Sequence, residues 1–432
     1  MDPALRPTRP ALYSAGAFGA SMMLQTIVLW AVYFYLPPNG TARLTPFLMG
    51  LALGGGRVVN AFSNPPTAFW SDRVRTPWGR RRPFIAVGAP LLACCYMLLW
   101  VPPPWSGTAL FLYVLAVLVG FYFFFSLTMN PYAALLPDIT PGGRGRVAVA
   151  SWQAAASIGG FGVVVLASEW LIKHGGFATM GGVVGLAGLA MLWLVVAGVR
   201  EPSATADAAP PAFWSEVTAV LGDRAFRIYV LTLTLLWLGT SMVNSSIVYV
   251  INVLMQQDNI GPVLGVTFAC TLAVFPLLTR LTRAVGTVRA LRWTLGAASV
   301  IVPLIGVIGL RGLPFAPGVQ GYVLVVLAAA PLAGLLVLPN ALLADIAEAD
   351  RTRTHEAREA MYYAVQGLIL NAASAAASVA LGLLLTLGYT PANSIGLRLI
   401  PLIAGGCTLL ALLAFLPFPT GPQTTPAGAP SR

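Results

Sequence analysis

The sequence predicts an all-α polytopic membrane protein, with twelve transmembrane helices arranged as two pseudo-symmetric six-helix bundles. Three observations predict it. Of the 432 residues, 57% are hydrophobic and only 9% are charged, where an ordinary soluble domain carries roughly 25% charge; the mean hydropathy is +0.80. Apolar runs recur about every thirty-five residues, each near the roughly 17–25 residues that cross a bilayer. A short motif returns at the same topological position in each half of the chain. This composition excludes a soluble globular enzyme and a disordered chain.

The apolar runs fall at 12–36, 46–70, 83–102, 108–136, 147–172, 176–198, 226–254, 262–281, 290–310, 319–344, 360–388 and 394–416. The longest polar interval, 200–225, holds acids, prolines and a short amphipathic stretch, and divides the runs six and six. The expected organisation is therefore an N-terminal bundle over 1–199, a cytoplasmic central loop over 200–225, a C-terminal bundle over 226–417 and a disordered tail over 418–432. The first run is too long for the apolar region of a cleavable signal peptide. Counting Lys and Arg with the N-terminus inside places twenty on the inner side. Only Arg43, Lys173, Arg311 and Arg398 fall outside, and Arg57 lies within a span. The bias predicts both termini in the cytoplasm, in a cell (inner) membrane. The net charge of +11 sits in short gaps between apolar runs and anchors the chain to lipid, so no nucleic acid partner is expected.

The repeat supports the six-plus-six division. LLPDITPGGRGR follows the fourth span and LLADIAEADRTR the tenth, sharing Leu-Leu-x-Asp-Ile and then Arg-x-Arg. Asp138, Arg144 and Arg146 in the first copy match Asp345, Arg351 and Arg353 in the second. Parallel halves of this kind are a transporter design.

Chemistry-bearing residues are few. Arg57 is the charged residue near the middle of a span, a costly placement that marks a substrate contact or a structural hydrogen-bond hub. By helical rise it lies about 16 Å in from the outer end and Glu169 about 6 Å, too far apart in depth for a ready ion pair. Asn60 and Asn64, four apart, share a helix face. Asn64-Pro65-Pro66 and Asn130-Pro131 place proline breaks in two spans. The carbonyls that such breaks free are tolerated where protein or a wet cavity satisfies them, so these residues point to a central cavity; the competing reading is interhelical glue. Gln25, Gln153, Asn244 and Asn371 add neutral polar groups, and Trp152 and Trp237 offer flat faces to a sugar ring. The loop SDRVRTPWGRRRPF, with Asp72, Arg75, Arg80 and a turn at Gly79, reads as headgroup anchoring or, with Asp138, Arg144, Asp345 and Arg351, as a cytoplasmic gate. No acid lies mid-span, no Ser/His/Asp or Cys/His set exists at membrane depth, and no phosphate-binding Gly-x4-Gly-Lys loop is present. Neither a catalytic site, a metal site nor a cofactor is expected.

SDRVRTPWGRRRPFI, the preceding NAFSNPP, MNPYAALLPDI and REAMYYAVQGLILNAASA together resemble the glycoside–pentoside–hexuronide:cation symporters, the melibiose-permease-like and sucrose-transporter-like branch of the major facilitator superfamily. The resemblance covers spans 1–5 and 10–11 and implies alternating access of two bundles around one central site, with sugar transport driven by a cation. Where the melibiose-type pattern has cation-binding acids, this chain carries Asn60, Asn64 and Asn130. The patterned lysine of span 11 is Asn371, the Lys-Asp pair of span 1 is Ala20-Ser21, and the arginine of span 5 is Gln153; the arginine of span 2 remains as Arg57. The expected function is a secondary carrier of a sugar or glycoside, monomeric, either a facilitator or weakly coupled. Its rivals are a carrier of a lysolipid-like amphiphile or organic acid engaging Arg57, and a non-transporting receptor or assembly factor on the same fold.

Overall fold

The computed structural model describes residues 8–74, 76–139, 143–199, 213–310, 312, 314–354 and 358–419. The chain divides into two compact units, Met1–Asp207 and Ala208–Arg432, and the division falls within the interval 200–225. The first unit holds α1 (Thr8–Tyr35), α2 (Pro46–Arg73), α3 (Arg82–Trp100), α4 (Gly107–Ile139) and α5 (Gly143–Gly198). The second holds α6 (Phe213–Gly222), α7 (Arg224–Tyr249), α8 (Ile260–Val285), α9 (Thr287–Leu304), α10 (Pro317–Thr354), α11 (Glu359–Leu385) and α12 (Ile395–Phe415). Of the expected central loop and tail, 200–212 and 420–432 lie outside the described residues.

Among the described residues ten helices are long and apolar enough to cross a bilayer. α5 carries two of the expected spans without a loop between them. Gly176, at φ 76° and ψ 177°, is its one non-helical residue, in a region glycine enters without a Cβ clash. Both arms lie along α1. Ser21 meets Ser157 and Trp30 meets Ser168 on the first arm, whereas Leu12 approaches Gly198, Gly19 approaches Gly188 and Phe34 approaches Phe177 on the second. The arms run in opposite senses, so α5 crosses twice. α2 has the length to span but falls short in hydropathy, because Arg57, Asn60, Asn64, Thr67 and Ser71 interrupt it at intervals of three and four. Adding the second arm of α5 and α2 gives the twelve crossings the sequence predicts. α10 continues as helix ten residues past the expected end at 344, and there its side chains are polar. α6 is the amphipathic stretch of the central interval; its Val217 and Val220 are buried in one core with Phe226, Tyr229, Leu291 and Tyr362, so it belongs to the second unit.

The two units repeat one packing scheme. In the first, α1 packs on both arms of α5, α2 on α4, and α3 on α4 and α5. In the second, α7 packs on α11 and α12, α8 on α10, and α9 on α10 and α12. Small residues permit the close approaches that lipid cannot drive by a hydrophobic effect: a Cβ on Gly160 would fall on the Phe18 carbonyl, and one on Gly239 on the backbone of Ala404.

Individual bonds repeat too. The Tyr13 hydroxyl of α1 donates to the Tyr132 carbonyl of α4 at 3.0 Å, and the Tyr229 hydroxyl of α7 donates to the Pro339 carbonyl of α10 at 3.0 Å. Tyr132 and Pro339 stand at the same distance from their copies of Leu-Leu-x-Asp-Ile. A glutamine of the fifth crossing attends a tyrosine of each contact: Gln153 approaches the Tyr132 hydroxyl and Gln366 donates to the Tyr229 hydroxyl at 3.0 Å. Tyr132 also donates back to the Tyr13 carbonyl at 2.8 Å, with the rings stacked 4.5 Å apart.

Tyr13→Phe and Tyr229→Phe are each expected to lower stability by about 0.6–1.5 kcal/mol, the span from measured membrane hydrogen bonds to ordinary buried ones. The two residues share no partner, so the losses should add in the double variant. Thermal unfolding in detergent measures both quantities.

Candidate functional site

α2 presents a polar stripe to α4. Arg57, Asn60, Asn64, Thr67 and Ser71 follow the spacing that keeps side chains on one face of a helix. Arg57 is 7% exposed, Thr67 and Ser71 are buried, and the two asparagines are half-buried. Across the seam, the Ser126 hydroxyl of α4 donates to Asn60 Oδ1 at 2.7 Å. The Asn130 amide donates to Thr67 Oγ1 at 2.6 Å, to the Asn64 carbonyl at 3.1 Å and to Asn64 Oδ1 at 3.2 Å. Thr67 in turn donates to the Ser63 carbonyl at 2.7 Å. The three asparagines that replace acids in the resembled pattern therefore lie along one seam in two hydrogen-bonded groups, Asn60 with Ser126 and Asn64 with Asn130 and Thr67, which bridge two proline-broken helices. In lipid an unmatched polar group has no water to turn to; here each finds its partner across the seam. Ser126 and Thr67 are network members that the spacing of asparagines does not reveal.

The other candidate solute contacts fall in both units. In the first unit Gln25 of α1 and Gln153 of α5 are half-buried, while Trp152 is exposed. In the second, the Trp237 indole donates to Ser374 Oγ at 2.8 Å, tying α7 to α11. Asn244 is exposed, and Asn371 donates back to the Gly367 carbonyl of its own helix at 3.0 Å. Glu169 pairs with Lys173 one turn on, at 2.7 Å. Among the described residues no three His, Cys, Asp or Glu side chains converge on a point that could hold a metal.

The inner-face residues expected to form a gate are only partly described. Arg75 lies outside the described residues, and so do the side chains of Asp72, Asp138 and Arg144. Arg80 is half-buried, and Asp345 and Arg351 are exposed. Their neighbours also bond to helix ends. Arg81, 8% exposed, donates to the Ala134 carbonyl near the end of α4, and Arg82 to the Val196 carbonyl near the end of α5. Arg292 of α9 repeats the second contact, donating to the Leu416 and Phe418 carbonyls beyond α12 at 2.9 and 3.2 Å. A helix leaves its last four carbonyls unpaired and carries partial negative charge at that end, so a guanidinium serves both needs for Val196 and the carbonyls beyond α12, while Arg81 reaches a carbonyl one turn further up α4. In the second unit, Arg353 bridges Asp223 at 3.0 Å and the buried Asp350 at 2.8 Å. Asp223 also caps α7, accepting from the Phe226 amide at 3.0 Å. This triad fastens the start of α7 to the end of α10. Gly79, at φ 106°, makes the expected tight turn before the arginines, closed by its amide donating to the Thr76 carbonyl at 3.0 Å.

Comparison with known proteins agrees with this architecture. The family model described as MFS/sugar transport protein matches residues 12–418. An uncharacterized symporter of Synechocystis is 30% identical over 159 residues, 35% of this chain and 29% of that protein. The uncharacterized symporter YnaJ of Bacillus subtilis is 22% identical over 406 residues, 89% of this chain and 85% of its own. The putative glycoside/cation symporter YagG of Escherichia coli is 25% identical over 224 residues, 50% of this chain and 48% of its own. The chain thus aligns with less than half the length of two of these three relatives. Among solved structures, the nucleoside transporter NupG superposes with a TM-score of 0.69 at 10% identity, covering 95% of this chain and 98% of that one, which shows the shared fold. These relatives are transporters and not enzymes, and the chain belongs to the MFS/sugar transport protein family of multi-pass membrane carriers.

Proposed function

We propose that this family member carries a sugar or glycoside by alternating access and does so without an obligatory co-transported cation. The observation that carries the second half is the α2–α4 seam. A hard cation needs oxygen lone pairs directed at one point. At this seam the Asn64 side-chain oxygen and carbonyl already accept from the Asn130 amide, and the Asn60 oxygen accepts from Ser126. Partly positive amide hydrogens lie where sodium would need lone pairs, and among the described residues no cluster of three His, Cys, Asp or Glu side chains stands ready to hold a metal ion. The family description and the glycoside/cation symporter among the relatives support the sugar class. The twenty basic residues on one side against four on the other support an inner-membrane placement with both termini cytoplasmic. Asp72, Arg75, Arg80, Asp138, Arg144, Asp345 and Arg351 remain the proposed gate, beside the Asp223–Arg353–Asp350 triad.

A second reading rests on Arg57. A guanidinium buried in the middle of a span marks a functional position, and its positive charge would attract an acidic solute. Arg57→Gln separates the readings: counterflow of a neutral glycoside persists under the first, and counterflow of an acidic sugar or lysolipid disappears under the second.

In proteoliposomes, counterflow of the preferred glycoside is expected to run equally in sodium and choline buffers, with or without a pH gradient. Strict dependence on either ion gradient would exclude the uncoupled mechanism.

Asn130→Asp is expected to destabilise the fold by about 1–3 kcal/mol, more at pH 8 than at pH 5. An ionised carboxylate only accepts and would face the acceptors of Asn64; its protonated form restores one donor. The folded state thus holds the proton more tightly than the unfolded chain, so stability falls as pH rises through the raised pKa. Unfolding midpoints across pH, compared with the parent protein, report the difference.

A further inference from the structure

The hairpin of α8 and α9 borders an apolar crevice. α8, α9 and α10 enclose a crevice of about 170 Å³ walled by Leu277, Leu278 and Leu281 of α8, Trp293 and Ala297 of α9, and Pro331 of α10. The volume is below the roughly 300 Å³ of ordinary small-molecule pockets, and the walls are apolar, so it takes part of a chain and not a polar solute. Its mouth is open: Leu277 is 62% exposed and Trp293 57% exposed. Both surrounding helices are interrupted by proline at this depth, Pro276 in α8 and Pro331 in α10, which keeps them from closing over the gap.

Charge stands one turn from this mouth. Arg280 follows Leu277 by three residues and Arg289 precedes Trp293 by four, so each shares the exposed side of a crevice residue about 5.4 Å nearer the α8–α9 turn. Both arginines are exposed, and neither they nor the adjacent Arg283 has an ion-pair or hydrogen-bond partner among the described residues. The same turn shows the contrast, since Arg292 is spent on the carbonyls after α12. On the other side of the membrane, Lys173 pairs with Glu169, and Arg398 donates to the Gly306 and Ile308 carbonyls at 2.8 Å. Trp293 stands six residues into α9, about 9 Å from its start, the depth at which tryptophan sits between headgroups and acyl chains.

We infer that this crevice is a binding site for an anionic phospholipid of the leaflet that holds the α8–α9 turn. One acyl chain lies against Leu277, Leu281 and Trp293, and the phosphate-bearing headgroup lies between Arg280 and Arg289. Basic residues at a membrane surface each contribute about a fivefold preference for anionic lipid, and the crevice converts that diffuse attraction into a defined seat by holding the chain.

The test uses the full-length protein in phosphatidylcholine vesicles doped with equal mole fractions of either phosphatidylglycerol or phosphatidylcholine brominated on one chain. Bromine quenches nearby indoles, and subtracting the Trp293→Phe variant isolates Trp293 from the other ten of the eleven tryptophans. Quenching of Trp293 is expected to be stronger with the anionic lipid. The preference should fall about 25-fold in Arg280→Gln/Arg289→Gln, and should vanish in Ala330→Phe, which fills the crevice mouth and leaves the arginines in place. Equal quenching by the two lipids, or a preference that survives either variant, would overturn the site. Ala330→Leu replaces the phenylalanine variant if that protein fails to elute as the parent does.

Discussion

Everything in this chain is organised by the poverty of the bilayer as a solvent for polar groups. A peptide carbonyl, an amide or a guanidinium that enters the hydrocarbon must bring its partner with it. The α2–α4 seam is where that demand is greatest. Two prolines in α2 remove backbone donors, five polar side chains follow on one face, and α4 answers with Ser126 and Asn130. Helix ends face the same demand, and Arg82 and Arg292 meet it with guanidinium groups set on terminal carbonyls. The arginine-rich loop is thus fixed as much by the chemistry of helix termini as by attraction to headgroups.

Neutrality at the seam connects this packing to transport. Acids there would stand uncompensated in lipid until an ion arrived, and the conformational cycle would be tied to that ion. Asparagines that satisfy one another leave the seam closed and stable whether or not an ion is present. Under the proposed uncoupled mechanism, the stiffness that the seam lends to the first unit has no ionic switch.

Most of the fold was legible in the sequence because bilayer thickness fixes helix length, and the boundaries read from apolar runs lie close to the observed ones. The inner ends were less legible. α10 runs on to Thr354, since a helix can leave the membrane without stopping when its side chains turn polar. The missing loop between the fifth and sixth crossings was also hidden: Gly175-Gly176 looks like many glycine pairs, and only backbone geometry shows that one of them turns the chain. For the site, composition identified Asn60, Asn64 and Asn130, and their face followed from spacing. Their partners did not, because a serine and a threonine among many carry no mark of which helix lies opposite. For the same reason the sequence did not mark out Arg81, Arg82 and Asp350, whose bonds reach the Ala134 and Val196 carbonyls and Arg353. An arginine's target is a carbonyl or acid brought near by folding, and no pattern along the chain records it.

Gly176 has a consequence for how the molecule is made. Between the two crossings lies only the short exposed stretch 173–176, with Lys173 and His174, so the polar segment carried to the far side is about one helical turn long. The two arms of α5, residues 143–198, are joined too tightly to part in the lipid, and the second must return beside the first.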